Sequence, residues 1–141
     1  MNNFIKNKIY IIIMLKKLLT NIIFWLHFPI VIIYFGLFFI PKSLWKDNIT
    51  FHFWYVMIIF LIQIIWGTVI YPKTKKIEII CPLTTLMQRL RGYEIENERN
   101  YNHSFTSELL EKLKIKLKYN IVSVIIMFSI LIVVIQYFFF N

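Results

Sequence analysis

Alanine is missing from this 141-residue chain, cysteine and aspartate occur once each, and glycine occurs only three times. The single cysteine, Cys81, leaves no intramolecular disulfide available, so the fold depends neither on an oxidising compartment nor on a paired-thiol redox motif. Gly36, Gly67 and Gly92 are too widely scattered to build a phosphate-cradling loop, which needs closely spaced glycines. Charge is scarce as well: Asp, Glu, Lys and Arg make up 16% of the chain, below the quarter usual in soluble domains. The lack of alanine beside abundant Ile, Asn, Lys and Phe fits an AT-rich coding sequence and has no bearing on function. The remainder is strongly apolar, with 59% hydrophobic and 18% aromatic residues, a balance that belongs in lipid.

Three stretches, 22–40, 51–71 and 121–140, are long and apolar enough to cross a bilayer, whose hydrocarbon layer takes about 20 residues of helix. Inside lipid the peptide groups must satisfy one another, so these runs are expected as helices despite their β-branched isoleucines. Pro41 and Pro72 are expected just past the ends of the first two, where a ring without an N–H does least harm. Residues 1–21 carry Lys6, Lys8, Lys16 and Lys17 and no acid. Their apolar run at 9–15 is too short to span, and no small-residue cleavage site follows it. They are expected as an interfacial helix feeding the first span rather than a secretory signal.

Basic charge sets the orientation, because Lys and Arg near span ends stay on the cytoplasmic side. The N-terminal arm carries +4, the loop 41–50 carries +1, and the segment 72–119 has ten basic residues against six glutamates, again +4. With three spans, both richly basic segments share one side. The expected protein is therefore an all-α integral membrane bundle in the cell inner membrane, with its N-terminus cytoplasmic, its C-terminus outside and 72–120 as a cytoplasmic loop. A nucleic-acid partner is not expected, since the basic residues flank spans and no aromatic-basic recognition module accompanies them.

Within the loop, Pro82 suits a first helical position and Gly92 the left-handed residue beyond a helix end. Between them Leu83, Leu86, Met87 and Leu90 recur at helical spacing as one apolar stripe, with Thr84, Thr85, Gln88, Arg89 and Arg91 on the other faces. Such a helix is expected on the cytoplasmic membrane surface, or tucked against the bundle, with its arginines directed to lipid phosphates. A second short helix is expected from Ser104 or Thr106, turning Leu109, Leu110 and Leu113 toward the membrane or the Leu83 stripe. The alternating KLKIKLK run after it reads as an extended or interfacial link.

The stretch CPLTTLMQRLRG, preceded by WG at the end of a span and followed by YNHSFTSELL, resembles a bacterial family of small integral membrane proteins known only as a domain of unknown function. The likeness runs over residues 22–118 and rests on the Cys-Pro-Leu-Thr motif after a transmembrane helix. Members often carry Pro where Thr85 stands and Glu where Met87 stands, and the connection here is lengthened by YPKTKK. What the resemblance implies is a membrane location, with no established activity.

Residues that could carry chemistry are few. Cys81 at a helix N-terminus meets exposed N–H groups that favour a thiolate, which would make it a nucleophile, metal ligand or lipid-attachment site; the alternative is a small apolar residue packed beside Ile79 and Ile80. A thiol-dependent catalyst would pair Cys81 with His103. His27 and His52 are expected roughly 20 Å apart along the membrane normal, too far for one haem. Gln63 falls near the depth of His27, so an interhelical His27–Gln63 hydrogen bond is expected. Glu94, Glu96, Glu98 and His103 match no metal-binding loop, and Asp47 lies across the membrane from His103 and Cys81, which excludes a hydrolytic triad.

The expectations converge on a structural or accessory component with no catalytic residue, metal or cofactor. Its basic cytoplasmic face would bind anionic lipid, another membrane protein or a second copy of itself. Cys81, Pro82, Leu83, Thr84, Arg89, Arg91 and His103 form the motif of interest. An oligomeric channel or carrier is the remaining alternative, though no charged side chain lies within the three apolar stretches.

Overall fold

The computed structural model describes residues 3–75, 79–100 and 104–140, apart from the side chains of Asn3, Phe4 and Arg99. Its regular structure is helical throughout these residues: α1 (Asn3–Gly36), α2 (Asn48–Thr74), α3 (Pro82–Leu90), α4 (Phe105–Lys112) and α5 (Tyr119–Phe140), with short 3-10 turns at Leu37–Phe39 and Glu98–Asn100. Three of these helices, α1, α2 and α5, are long and apolar enough to cross a membrane, as expected of a multi-pass membrane protein.

The N-terminal basic segment and the first span are one continuous helix. Residues 3–36 form one uninterrupted helix of 34 residues, about 51 Å at 1.5 Å per residue and so longer than the roughly 30 Å of hydrocarbon. Nothing between Leu18 and Ile22 breaks a helix. The one hydroxyl there, on Thr20, donates to the Lys16 carbonyl at 2.8 Å and so needs no partner outside the helix. Pro72 also differs from expectation, lying inside α2, which runs on to Thr74 before Lys75 turns left-handed at φ 55° and donates to the Tyr71 carbonyl. In a last turn a missing N–H costs one backbone bond and the helix continues.

Polar side chains tie the spans at one end. Asn48 donates to the Leu37 carbonyl at 3.2 Å, and Tyr55 donates to the Ile30 carbonyl at 3.0 Å, joining α2 to the last turns of α1. Ser129 on α5 gives its proton to the Ile126 carbonyl, so Tyr34 is the donor in the 2.6 Å bond between their hydroxyls. Phe53 and Tyr137 stack at 3.9 Å, and the Lys42 amine donates to the Phe140 carbonyl. His52 sits here, edge-on to Phe38 and Tyr34.

At the opposite end two short helices wedge among the spans. Ile23 and Phe24 of α1, Met87 of α3 and Phe105 of α4 form a buried cluster, bordered by Phe28, Val31, Leu83, Leu90 and Leu109. A second cluster joins Ile70 of α2 to Ile80 and Ile95, with Trp66 against it. Helix α3 starts at Pro82 and closes in a Schellman turn: Tyr93 N–H bonds the Gln88 carbonyl and Gly92 N–H bonds the Arg89 carbonyl, with Gly92 at φ +93°. Helix α4 begins with a reciprocal cap between Ser104 and Ser107.

The facing of α3 reverses part of the expectation. Thr84, Thr85 and Gln88 are buried along with Met87, while Leu86 of the apolar stripe is half exposed. Lipid covers an apolar side chain as well as protein does, whereas hydroxyls and amides in that setting need protein partners. Thr85 accepts from the Trp66 indole at 3.1 Å. The helix thus tucks against the bundle with Thr84, Thr85 and Gln88 turned inward beside Met87.

Candidate functional site: a thiol–imidazole pair above a basic cleft

One face of α1 builds most of the site. Ile13, Lys16, Lys17, Thr20, Asn21, Phe24 and His27 recur at helical spacing, and α3 covers the upper part of that row. At the top, His27 is 4% exposed, its Nδ1 lies 3.3 Å from the Ile23 carbonyl and its Nε2 lies 3.1 Å from Cys81 Sγ. A carbonyl can only accept, so Nδ1 carries the hydrogen and Nε2 presents a lone pair to the thiol. Phe105 stacks flat on the imidazole, with centroids 4.7 Å apart.

Both ring nitrogens of His27 are engaged, which replaces the expected bond to Gln63. The segment after α2 folds back so that Cys81, at the start of α3, meets the imidazole directly. His103, the expected partner of Cys81, lies outside the described residues. The base beside Cys81 comes instead from 54 positions earlier. No local signal pairs the two; the available hint is that Thr84, Thr85 and Gln88 on a helix set in lipid require a protein surface to face.

The environment of Cys81 also departs from the thiolate expectation. Burial pushes the Cys81 thiol up from its ordinary range, and hydrogen bonds from the Thr84 and Leu83 backbone and the Thr84 hydroxyl pull it partly back. Desolvation outweighs the helix N-terminus, so the neutral thiol donating to imidazole is the favoured form. Among the described residues no group of three His, Cys, Asp or Glu side chains gathers as metal ligands.

Lower down, Arg91 and Glu108 form a two-pronged ion pair, with 2.8 Å and 2.7 Å bonds linking the end of α3 to α4. Lys112 lies over the Phe24 ring at 3.6 Å. Arg89 is exposed, Leu83 packs at the edge of the core and Pro82 is half-buried. Beneath the Schellman turn an open cleft of about 470 Å³ remains, lined by Ile13, Lys16, Lys17, Thr20 and Asn21 from α1 and by Leu90, Arg91 and Gly92.

Residues 17–141 match the family described as Protein of Unknown function (DUF2784). The chain belongs to this family. The match takes in α5 and so extends past the stretch on which the sequence resemblance rests. No curated protein and no solved structure matches the chain. Within this member of the family, the Cys-Pro-Leu-Thr segment forms the upper half of the site and Arg91, just past the end of α3, stands at its lower edge, whereas Arg89 lies outside it.

Proposed function

We propose that this chain is an accessory protein of the bacterial inner membrane, with its N-terminus cytoplasmic and its basic end held against anionic phospholipid head groups of the inner leaflet. The observation that supports this reading is charge segregation. The segments that converge at the α3–α4 end carry fourteen of the sixteen Lys and Arg residues and six of the seven acids, a net of +8, against +1 in the loop at the other end. Juxtamembrane basic residues are worth about 1 kcal/mol each near an anionic surface, and the same bias supports the orientation. A reporter active only outside the cytoplasm, fused after Asn141, is expected to be active, and one active only inside is expected to be silent. The reverse pattern would overturn the assignment.

A second reading, a thiol-dependent reaction at Cys81, is favoured by the 3.1 Å contact of its sulfur with His27 Nε2. Burial of the thiol and its raised pKa weigh against it. It would displace the first if Cys81 reacted with a maleimide in intact membranes faster than a free thiol and if His27→Phe abolished that advantage.

A further inference from the structure

We infer that the cleft between α1 and the end of α3 holds the phosphate head group of one anionic phospholipid, a proposal that rests on the lipid-facing role above and gives it a site. The cleft exists because α3 is too short. The α1 face that α3 covers from Phe24 to His27 continues downward as buried Thr20 and then Lys17 and Lys16, but the chain turns away at Gly92 and leaves the two lysines uncovered.

Three cations line it. Lys16 and Lys17 are exposed and form no ion pair, since among the described residues the one salt bridge joins Arg91 to Glu108. Arg91 reaches the cleft from the other wall, held in place by Glu108 through two of its five donors, so three remain for a ligand. With Glu108 counted, the site keeps two positive charges, enough for a phosphate diester. Asn21 adds an amide, and Ile13 and Leu90 supply apolar wall. A free phosphate has no use for Leu90, whereas the glycerol and first carbons of an acyl chain do; Ile13, a turn farther from the hydrocarbon than Lys17, borders the outer rim. Depth agrees as well: the twenty residues from Lys17 to Leu37 rise about 30 Å, the thickness of the hydrocarbon layer, which sets the lysines at head-group level.

The test uses the full chain in phosphatidylcholine nanodiscs, titrated with phosphatidylglycerol and read by native mass spectrometry. Phosphatidylglycerol is expected to bind at least tenfold more tightly than added phosphatidylcholine. The Lys16→Gln/Lys17→Gln variant is expected to lose at least tenfold of that affinity, and Lys16→Arg/Lys17→Arg to keep it. Lys6→Gln/Lys8→Gln removes equal charge from the same helix outside the cleft and is expected to lose less than twofold. Equal losses in the two glutamine variants, or loss of binding in the arginine variant, overturn the cleft and leave the diffuse basic face standing. Phosphatidylglycerol binding no more tightly than phosphatidylcholine overturns both. Inorganic phosphate displacing the lipid at comparable affinity assigns the site to the free anion and overturns the lipid head group.

Discussion

At the residue scale, Cys81 is where sequence and structure part most. The helix N-terminus points toward a reactive thiolate, yet the sulfur is mostly enclosed and keeps its proton, donating a hydrogen bond to an imidazole whose other nitrogen is tied to Ile23. Because burial raises the thiol, maleimide labelling in intact membranes is expected to be slower than that of a free thiol near neutral pH. Its half-maximal rate is expected at a pH above that of the free thiol. The sign for stability follows from the same shift: the folded state holds this proton more tightly than the unfolded chain, so stability falls as pH rises above the ordinary thiol range. Labelling faster than a free thiol at pH 7 would contradict this account. The contact with His27 is expected to appear as non-additivity of about 1 kcal/mol between His27→Phe and Cys81→Ala in reversible unfolding from micelles, the scale of interhelical hydrogen bonds in membranes. Additive effects would mean that the two side chains do not depend on each other.

Among the elements, α3 shows best what the sequence disclosed. Its start at Pro82 and its stop at Gly92 were legible, because proline and glycine act through local backbone geometry that needs no tertiary partner. Its facing was not. An apolar stripe signals a buried face only where water is the alternative, and in lipid the polar side of a helix has the stronger claim on protein. The same limit explains α1, whose lysines suggested a border at residue 21 although no residue there interrupts a helix. The His27–Cys81 pair was illegible for a related reason, since it depends on how a loop after α2 folds back across a long gap in the chain. Gly92 offers a clean test at this scale. A Cβ added there meets no atom within 4 Å, so Gly92→Ala carries only the cost of a left-handed backbone. That cost is about 1 kcal/mol, seen as a lower melting temperature in detergent, and Gly92→Asn, which tolerates the conformation better, is expected to lose less. No difference between the two variants would mean that the Schellman turn does not anchor the end of α3.

For the whole molecule, the two ends of the bundle differ in how the spans are held. At the Tyr34–Ser129 end the spans are joined directly by hydrogen bonds and stacked rings, and the connecting loop carries a net of +1. At the other end α3 and α4 stand between them, and every junction there passes through a segment rich in Lys and Arg. An asymmetric build of this kind supports the proposed orientation, because turning the molecule over would carry a net +8 across the membrane. Between Arg91 and Asn100, on that basic side, Ile95 and Asn100 are buried but Gly92, Glu94, Glu96, Asn97 and Glu98 are exposed with only a short 3-10 turn, so the exposed backbone beside Arg91 and Arg99 is a point of proteolysis. Trypsin added outside sealed, right-side-out vesicles is expected to leave the chain whole between α3 and α4, whereas inside-out vesicles are expected to yield a fragment beginning just after Arg91 or Arg99. Cleavage there from the outside would reverse the orientation, and with it the assignment of the basic cleft to the inner leaflet.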